Sequence, residues 1–150
     1  MSGKTKKKII VAVSGGFDPV HIGHVRMFKE ARALGDELVV ILNNDNWLLA
    51  KKGSVFMPEA ERKEVLESIK YVDRVMLTEH TRDDPDRSVC RELARVRPDI
   101  FSNGGDRKNA NDIPEAKVCK DLGIKMVFNT GKGGKVQSSS WLISKAAKAD

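Results

Sequence analysis

Aromatic residues make up only 5% of this 150-residue chain, and cysteine, histidine and proline number two, three and five. So few aromatics leave no stacking platform of the kind that holds single-stranded nucleic acid. Cys90 and Cys119 lack the Cys/His spacing of a metal site and read as packed thiols in a reducing compartment. No apolar run approaches the roughly 18 residues needed to cross a membrane. Lys6-Lys7-Lys8 before Ile9 to Val13 imitates a signal peptide, but the apolar run is too short and closes on Ser14-Gly15-Gly16 without a cleavage pattern. These absences predict a cytoplasmic protein with no membrane partner.

What is present is charge, 32% of the chain, with a formal net value of +6. Lys4, Lys6, Lys7 and Lys8 account for much of it, and without them the excess falls to +2. Residues 1–8 therefore read as a solvated basic tail that adds weak, salt-sensitive attraction to polyanions. Residues 9–150 have the length of one ordinary domain with a single core.

Short apolar runs recur at Ile9 to Val13, Leu38 to Leu42, Val75 to Leu77, Ile100-Phe101 and Met126 to Phe128. Each reads as a buried strand. Helical patterns lie between them: Ile22 to Leu34 before Gly35, Val65 to Ile69 after Pro58-Glu59, Val89 to Val96 after Asp84-Pro85, and Pro114 to Leu122 before Gly123. A fifth begins at the serine run Ser138-Ser139-Ser140. Proline just inside a helix start and glycine just past its end obey the backbone preferences of those residues. The alternation predicts an α/β, Rossmann-like three-layer αβα sandwich around a five-stranded parallel sheet. Ligands in such sheets sit beyond the carboxyl ends of the strands.

The loop after the first strand reads Gly15-Gly16-Phe17-Asp18-Pro19-Val20-His21-Ile22-Gly23-His24. Two glycines permit a sharp turn and close approach of backbone amides to a ligand. A helix N-terminus follows, where free N–H groups and the dipole favour anions. His21 and His24, three apart, can project toward one spot with Gly23 between them. The pattern reads as a phosphate pocket with imidazole donors. It does not read as a metal site, because His80 is the only other histidine.

This strand, turn and His-x-Gly-His helix start resembles the cytidylyltransferase-like nucleotidyltransferases, and the resemblance runs over nearly the whole chain. The Ala31 to Val40 segment followed by Asn43-Asn44-Asp45 looks like sugar-phosphate and ethanolamine-phosphate members. The Glu61-Arg62-Lys63 and Leu66 to Val75 segments are similar to glycerol-3-phosphate cytidylyltransferases. Arg97-Pro98-Asp99-Ile100 leading to Gly104-Gly105-Asp106 looks most like heptose-phosphate adenylyltransferases. The resemblance implies transfer of a nucleoside monophosphate from ATP or CTP to a phosphorylated sugar or polyol, with release of pyrophosphate. It also implies Mg²⁺ bridging the triphosphate and a homodimer, the common state in the family.

Site residues follow from the same resemblance. His21, His24 and Lys51 are expected at the reacting centre, with Lys51 or its neighbour Lys52 at the end of a polar loop neutralising phosphate charge. Gly16, Phe17 and Asp18, then Gly104 and Asp106, are expected at the nucleotide, Asp18 also ordering the motif loop or approaching the metal. Ser138, Ser139 and Ser140 open a helix whose N-terminus suits β- and γ-phosphates. Lys52, Arg62, Arg107 and Lys135 are expected against phosphates or the acceptor. Arg107 stands where relatives commonly carry tryptophan or tyrosine, and Lys132 and Lys135 stand where they often carry arginine, which supplies a bidentate fork that lysine lacks. Without the resemblance, a lysine pair, an aspartate-capped turn and an N-cap serine each have ordinary structural explanations. Two other functional classes fit the motifs: an RNA-binding or transfer-RNA-related protein, since His-Ile-Gly-His also occurs in class I aminoacyl-tRNA synthetases, and a non-catalytic nucleotide sensor.

Overall fold

The computed structural model describes residues 7–104, 114–130 and 139–148. All five apolar runs are strands: β1 (Ile10–Gly15), β2 (Glu37–Leu42), β3 (Arg74–Leu77), β4 (Ile100–Gly104) and β5 (Lys125–Thr130). They pair in parallel in the order β3-β2-β1-β4-β5. The helices are α1 (Ile22–Arg32), α2 (Asp45–Lys52), α3 (Glu59–Glu67), α4 (Cys90–Val96), α5 (Glu115–Leu122) and α6 (Ser139–Lys148). The fold is thus Rossmann-like α/β, as the alternation predicts.

One helix departs from the sequence reading. Residues 45–52 are α2, not a polar loop. Asn44 caps the helix by accepting the Trp47 N–H at its side-chain oxygen, and Gly53 closes it in the left-handed conformation at φ 80°. Those residues form a local start and stop signal that needs no long apolar stripe.

Strand periodicity divides the core into two layers. Val11 and Val13 join Leu38, Val40 and Leu42 against Phe28 and Ala31 of α1 and Leu66 of α3. Ala12, Ile41 and Phe101 face Leu93 of α4 and Cys119 of α5 on the opposite side. The two cysteines are free, as their spacing predicts, and burial pushes the Cys119 thiol up to about 11.

Register is set at the amino ends of the strands by a repeated device. Asp36, Asp73 and Asp99 each stand immediately before a strand, and each carboxylate accepts a backbone N–H from the neighbouring strand. Asp36 takes that of Ile9, Asp73 that of Leu38 and Asp99 that of Ile10, all at 2.8 Å. A one-residue slip would break all three bonds and turn every core side chain to the wrong face. Replacing Asp99 by Ala is expected to lower unfolding free energy by about 2 kcal/mol in urea titration, the typical worth of a hydrogen bond to a charged group. An unchanged midpoint would show that register is held by side-chain packing alone.

Candidate active site

The carboxyl ends of β1, β2 and β4 meet the segment that joins β1 to α1. Glycine at positions 15 and 16 is required by packing. A Cβ on Gly15 would lie 2.8 Å from the Phe17 ring, and one on Gly16 would lie 3.0 Å from Leu48 and 3.3 Å from Trp47. The left-handed residue of the turn is Phe17, at φ 48°, a conformation costly for a bulky side chain. Its ring is buried, edge-on to Phe28 at 5.3 Å and to His24 at 4.8 Å. The Phe17 side chain therefore forms the wall behind His24.

The His-x-Gly-His spacing is a capping box built from imidazoles. His21 is the N-cap of α1 and its Nδ1 accepts the Gly23 N–H at 3.1 Å. His24 stands at the third helical position, and its Nδ1 accepts the His21 N–H at 3.1 Å. A ring nitrogen that accepts carries no proton, so the neutral His24 imidazole holds its hydrogen on Nε2. The two rings stack with centroids 3.7 Å apart. Burial, then the charges of His21 and Lys52, hold His24 down at about 3 against the ordinary 6.5. His24 is a neutral donor throughout the physiological range.

The same electrostatics distinguish the two lysines. Lys52 is close enough for its charge to act on His24, whereas the Lys51 ammonium lies 4.9 Å over the Trp47 ring. Both occupy the last turn of α2 and are exposed. Of the two, Lys52 is thus the one whose charge bears on His24, while Lys51 rests over the Trp47 ring.

Two expected ligand contacts are internal struts. Asp18 is 2% exposed, and its carboxylate accepts the N–H groups of Phe56 and Met57 at 2.7 and 2.6 Å. Both oxygens thereby take part in ordering the loop after α2. Arg62 is 1% exposed. Its guanidinium donates to the carbonyls of Met57, Gly16 and Asn43 and to the Asp45 carboxylate, at 2.7 to 2.8 Å. Asp45 supplies its counter-charge.

Sequence reasoning missed Asn44, Thr78 and His80, which form a buried chain. Thr78 Oγ1 accepts the Asn44 N–H at 3.0 Å and lies 2.9 Å from His80 Nδ1, and His80 Nε2 meets the Ser88 carbonyl at 2.9 Å. Asn44 donates from its side chain to the carbonyls of Thr78 and His80. At the same edge, two buried amides leave an atom without a hydrogen-bond partner among the described residues: Oδ1 of Asn43 and Nδ2 of Asn103. Gly104 ends β4 opposite Thr130. α6 begins at Ser139, so a helix does open in the serine run. Asp106, Arg107, Lys135 and Ser138 lie outside the described residues.

Residues 12–125 match the family described as Cytidylyltransferase-like. The chain belongs to that family. It is 38% identical over 93% of its length to the bifunctional protein HldE of Streptomyces coelicolor, of which it spans 28%. It is 40% identical over 82% of its length to the FAD synthase of Thermococcus sibiricus, spanning 82% of that protein. The FAD synthase of Pyrococcus horikoshii matches at 38% identity over 67% of the chain and 66% of its own length. Among solved structures, a lipopolysaccharide core biosynthesis protein from Thermoplasma volcanium superposes with a TM-score of 0.69 at 30% identity, covering 83% of this chain and 98% of that one. A pantoate–β-alanine ligase from Francisella tularensis shares the fold at a TM-score of 0.54 and 15% identity.

Two measurements test this geometry. Arg62→Met is expected to cost about 3–5 kcal/mol in urea unfolding, since it strands Asp45 and three carbonyls. A cost below about 1 kcal/mol would mean that the strut holds nothing. The second concerns acid. Above pH 6.5 His24 is neutral in both folded and unfolded chains, but between pH 6.5 and 3 the unfolded chain takes up a proton that the folded ring refuses, so stability falls with pH. Thermal melting of wild type should therefore drop more between pH 7 and 4.5 than that of His24→Asn, which keeps an acceptor for the His21 N–H. Parallel curves would show that His24 titrates normally.

Proposed function

We propose that this chain is a nucleotidyltransferase that transfers a nucleoside monophosphate to a phosphorylated small molecule. The carrying observation is His24, a neutral imidazole whose Nδ1 is occupied, held at the N-terminus of α1 with Lys52 beside it. That arrangement is suited to a polyanion undergoing displacement: backbone amides, a preorganised Nε2–H and one mobile cation.

In the reaction, a phosphate oxygen of the acceptor bonds to the α-phosphorus and the bond from that phosphorus to pyrophosphate breaks. The acceptor phosphate is already ionised, so no protein base is required. His24 donates to the phosphoryl oxygens while negative charge moves to the leaving group, and Lys52 offsets that charge. His21 orients the helix start and shares the histidine stack. Ser138, Ser139, Ser140 and Lys135 are assigned to the β- and γ-phosphates, and Gly104, Asp106 and Arg107 to the nucleoside and acceptor.

Among the described residues no group of three His, Cys, Asp or Glu side chains could hold a metal ion. Both oxygens of Asp18 are taken by backbone N–H groups. We assign the Mg²⁺ expected for the family to the triphosphate as part of the substrate, and no step is routed through it.

ATP is the favoured donor, because the Gly104-Gly105-Asp106 segment resembles adenylyltransferases and FAD synthases recur among the relatives. That name also adds FMN to the sugar and polyol phosphates as a candidate acceptor.

Pyrophosphate release with ATP or CTP, against FMN, sugar 1-phosphates and glycerol 3-phosphate, tests the reading. His24→Ala should lower kcat at least a hundredfold, a loss typical of one removed transition-state donor. Lys52→Ala should lose more than Lys51→Ala. Near-normal turnover by the His24 variant would overturn the mechanism, and nucleotide binding without turnover on any acceptor would favour a sensor.

A further inference from the structure

Strand order reverses between β1 and β4, and that crevice is where a doubly wound sheet receives its ligand. Asn103 stands on the β4 side of it, one residue before the strand ends, at 7% exposure. Its Nδ2 is buried and finds no hydrogen-bond partner among the described residues. A native fold seldom leaves a buried amide donor unmatched, because the group has given up water for nothing. Asn44, the N-cap of α2 beyond β2, shows the contrast, since its side chain makes three bonds to backbone. The orphaned donor of Asn103 is thus a local cost that no described residue relieves.

Which ligand atom would relieve it follows from the distribution of charge. The proposed transfer centre is His24 with the charge of Lys52 acting on it, so the phosphates are assigned there. β4, with the sequence Ile-Phe-Ser-Asn-Gly, brings no charge. A neutral donor on an uncharged strand is matched to a neutral acceptor atom.

We propose that Asn103 is a specificity residue for the nucleoside half of the donor, its Nδ2–H donating to an oxygen of the ribose or an acceptor atom of the base. The assignment rests on the nucleotidyltransferase reading and adds to it a residue that neither the motifs nor the resemblance pointed to.

The test separates a binding role from a structural one by sign. Asn103→Leu and Asn103→Ala are melted without ligand and titrated calorimetrically with ATP and CTP. Asn103→Leu should melt at or above wild type, because an unmatched buried donor has been removed, while its Kd for the preferred nucleotide rises about tenfold. The KM of the phosphorylated acceptor should stay put. Deoxy analogues of the nucleotide locate the partner. If it is a ribose hydroxyl, removing that hydroxyl weakens wild type about tenfold and leaves the variants indifferent. If it is the base, the variants instead lose discrimination among ATP, CTP, GTP and UTP. Unchanged nucleotide affinity in both variants would overturn the assignment, as would lowered melting in both with affinity lost only in proportion to unfolding. Failure of wild type to bind any nucleoside triphosphate would overturn the nucleotidyltransferase reading along with it.

Discussion

The buried guanidinium of Arg62 is the constraint on which the candidate site depends. One side chain from α3 ties the carbonyl of Gly16 after β1, that of Asn43 after β2, that of Met57 in the loop after α2, and the carboxylate that opens α2. These segments leave the sheet in different directions, and no regular hydrogen-bond ladder joins them. A planar donor fork with fixed angles gathers them where a flexible lysine could not. Asp18 continues the same job from the other side of the loop, by holding Phe56 and Met57. The charge of Lys52 on α2 bears on His24 of α1 within this frame.

Much of the fold was legible because strand and helix signals are local. Five apolar runs became five strands, and the Pro/Gly punctuation placed most helix ends within a few residues. α2 escaped because Asn43-Asn44-Asp45-Asn46 reads as loop chemistry, while the same Asn44 is an N-cap once its side-chain oxygen turns to Trp47 N–H. Arg62 and Asp18 were found as residues of consequence, but their partners within the fold were not foreseen. A signal for Arg62 was available: it lies four residues before Leu66, on the buried stripe of α3, where a surface charge does not belong. Nothing local marks Asp18 as a backbone clamp, since its partners are 38 and 39 residues away. The choice between Lys51 and Lys52 was likewise closed to the sequence, because adjacent helical residues point about 100° apart and only the position of Trp47 settles which one turns aside.

The histidine motif shows how one spacing can serve two ends. N-cap and third helical position are the pair that satisfy each other's backbone donors, so the three-residue separation is a requirement of the helix start before it is one of chemistry. Using Nδ1 for the cap dictates which nitrogen of His24 keeps its hydrogen. Burial and stacking against His21 then keep that ring uncharged. Local folding rules thereby prepare a donor whose protonation does not vary near neutral pH.

The three aspartates that fix strand register lie at the opposite end of the sheet from all of this. Alignment of the sheet is thus secured without drawing on any group at the ligand end. Loops at that end are free to drift in length and composition while the frame beneath them stays aligned. A scaffold divided in this way can exchange one substrate for another during descent without first being rebuilt, and the varied names borne by proteins sharing this architecture, from FAD synthase to pantoate–β-alanine ligase, are what such freedom would leave behind.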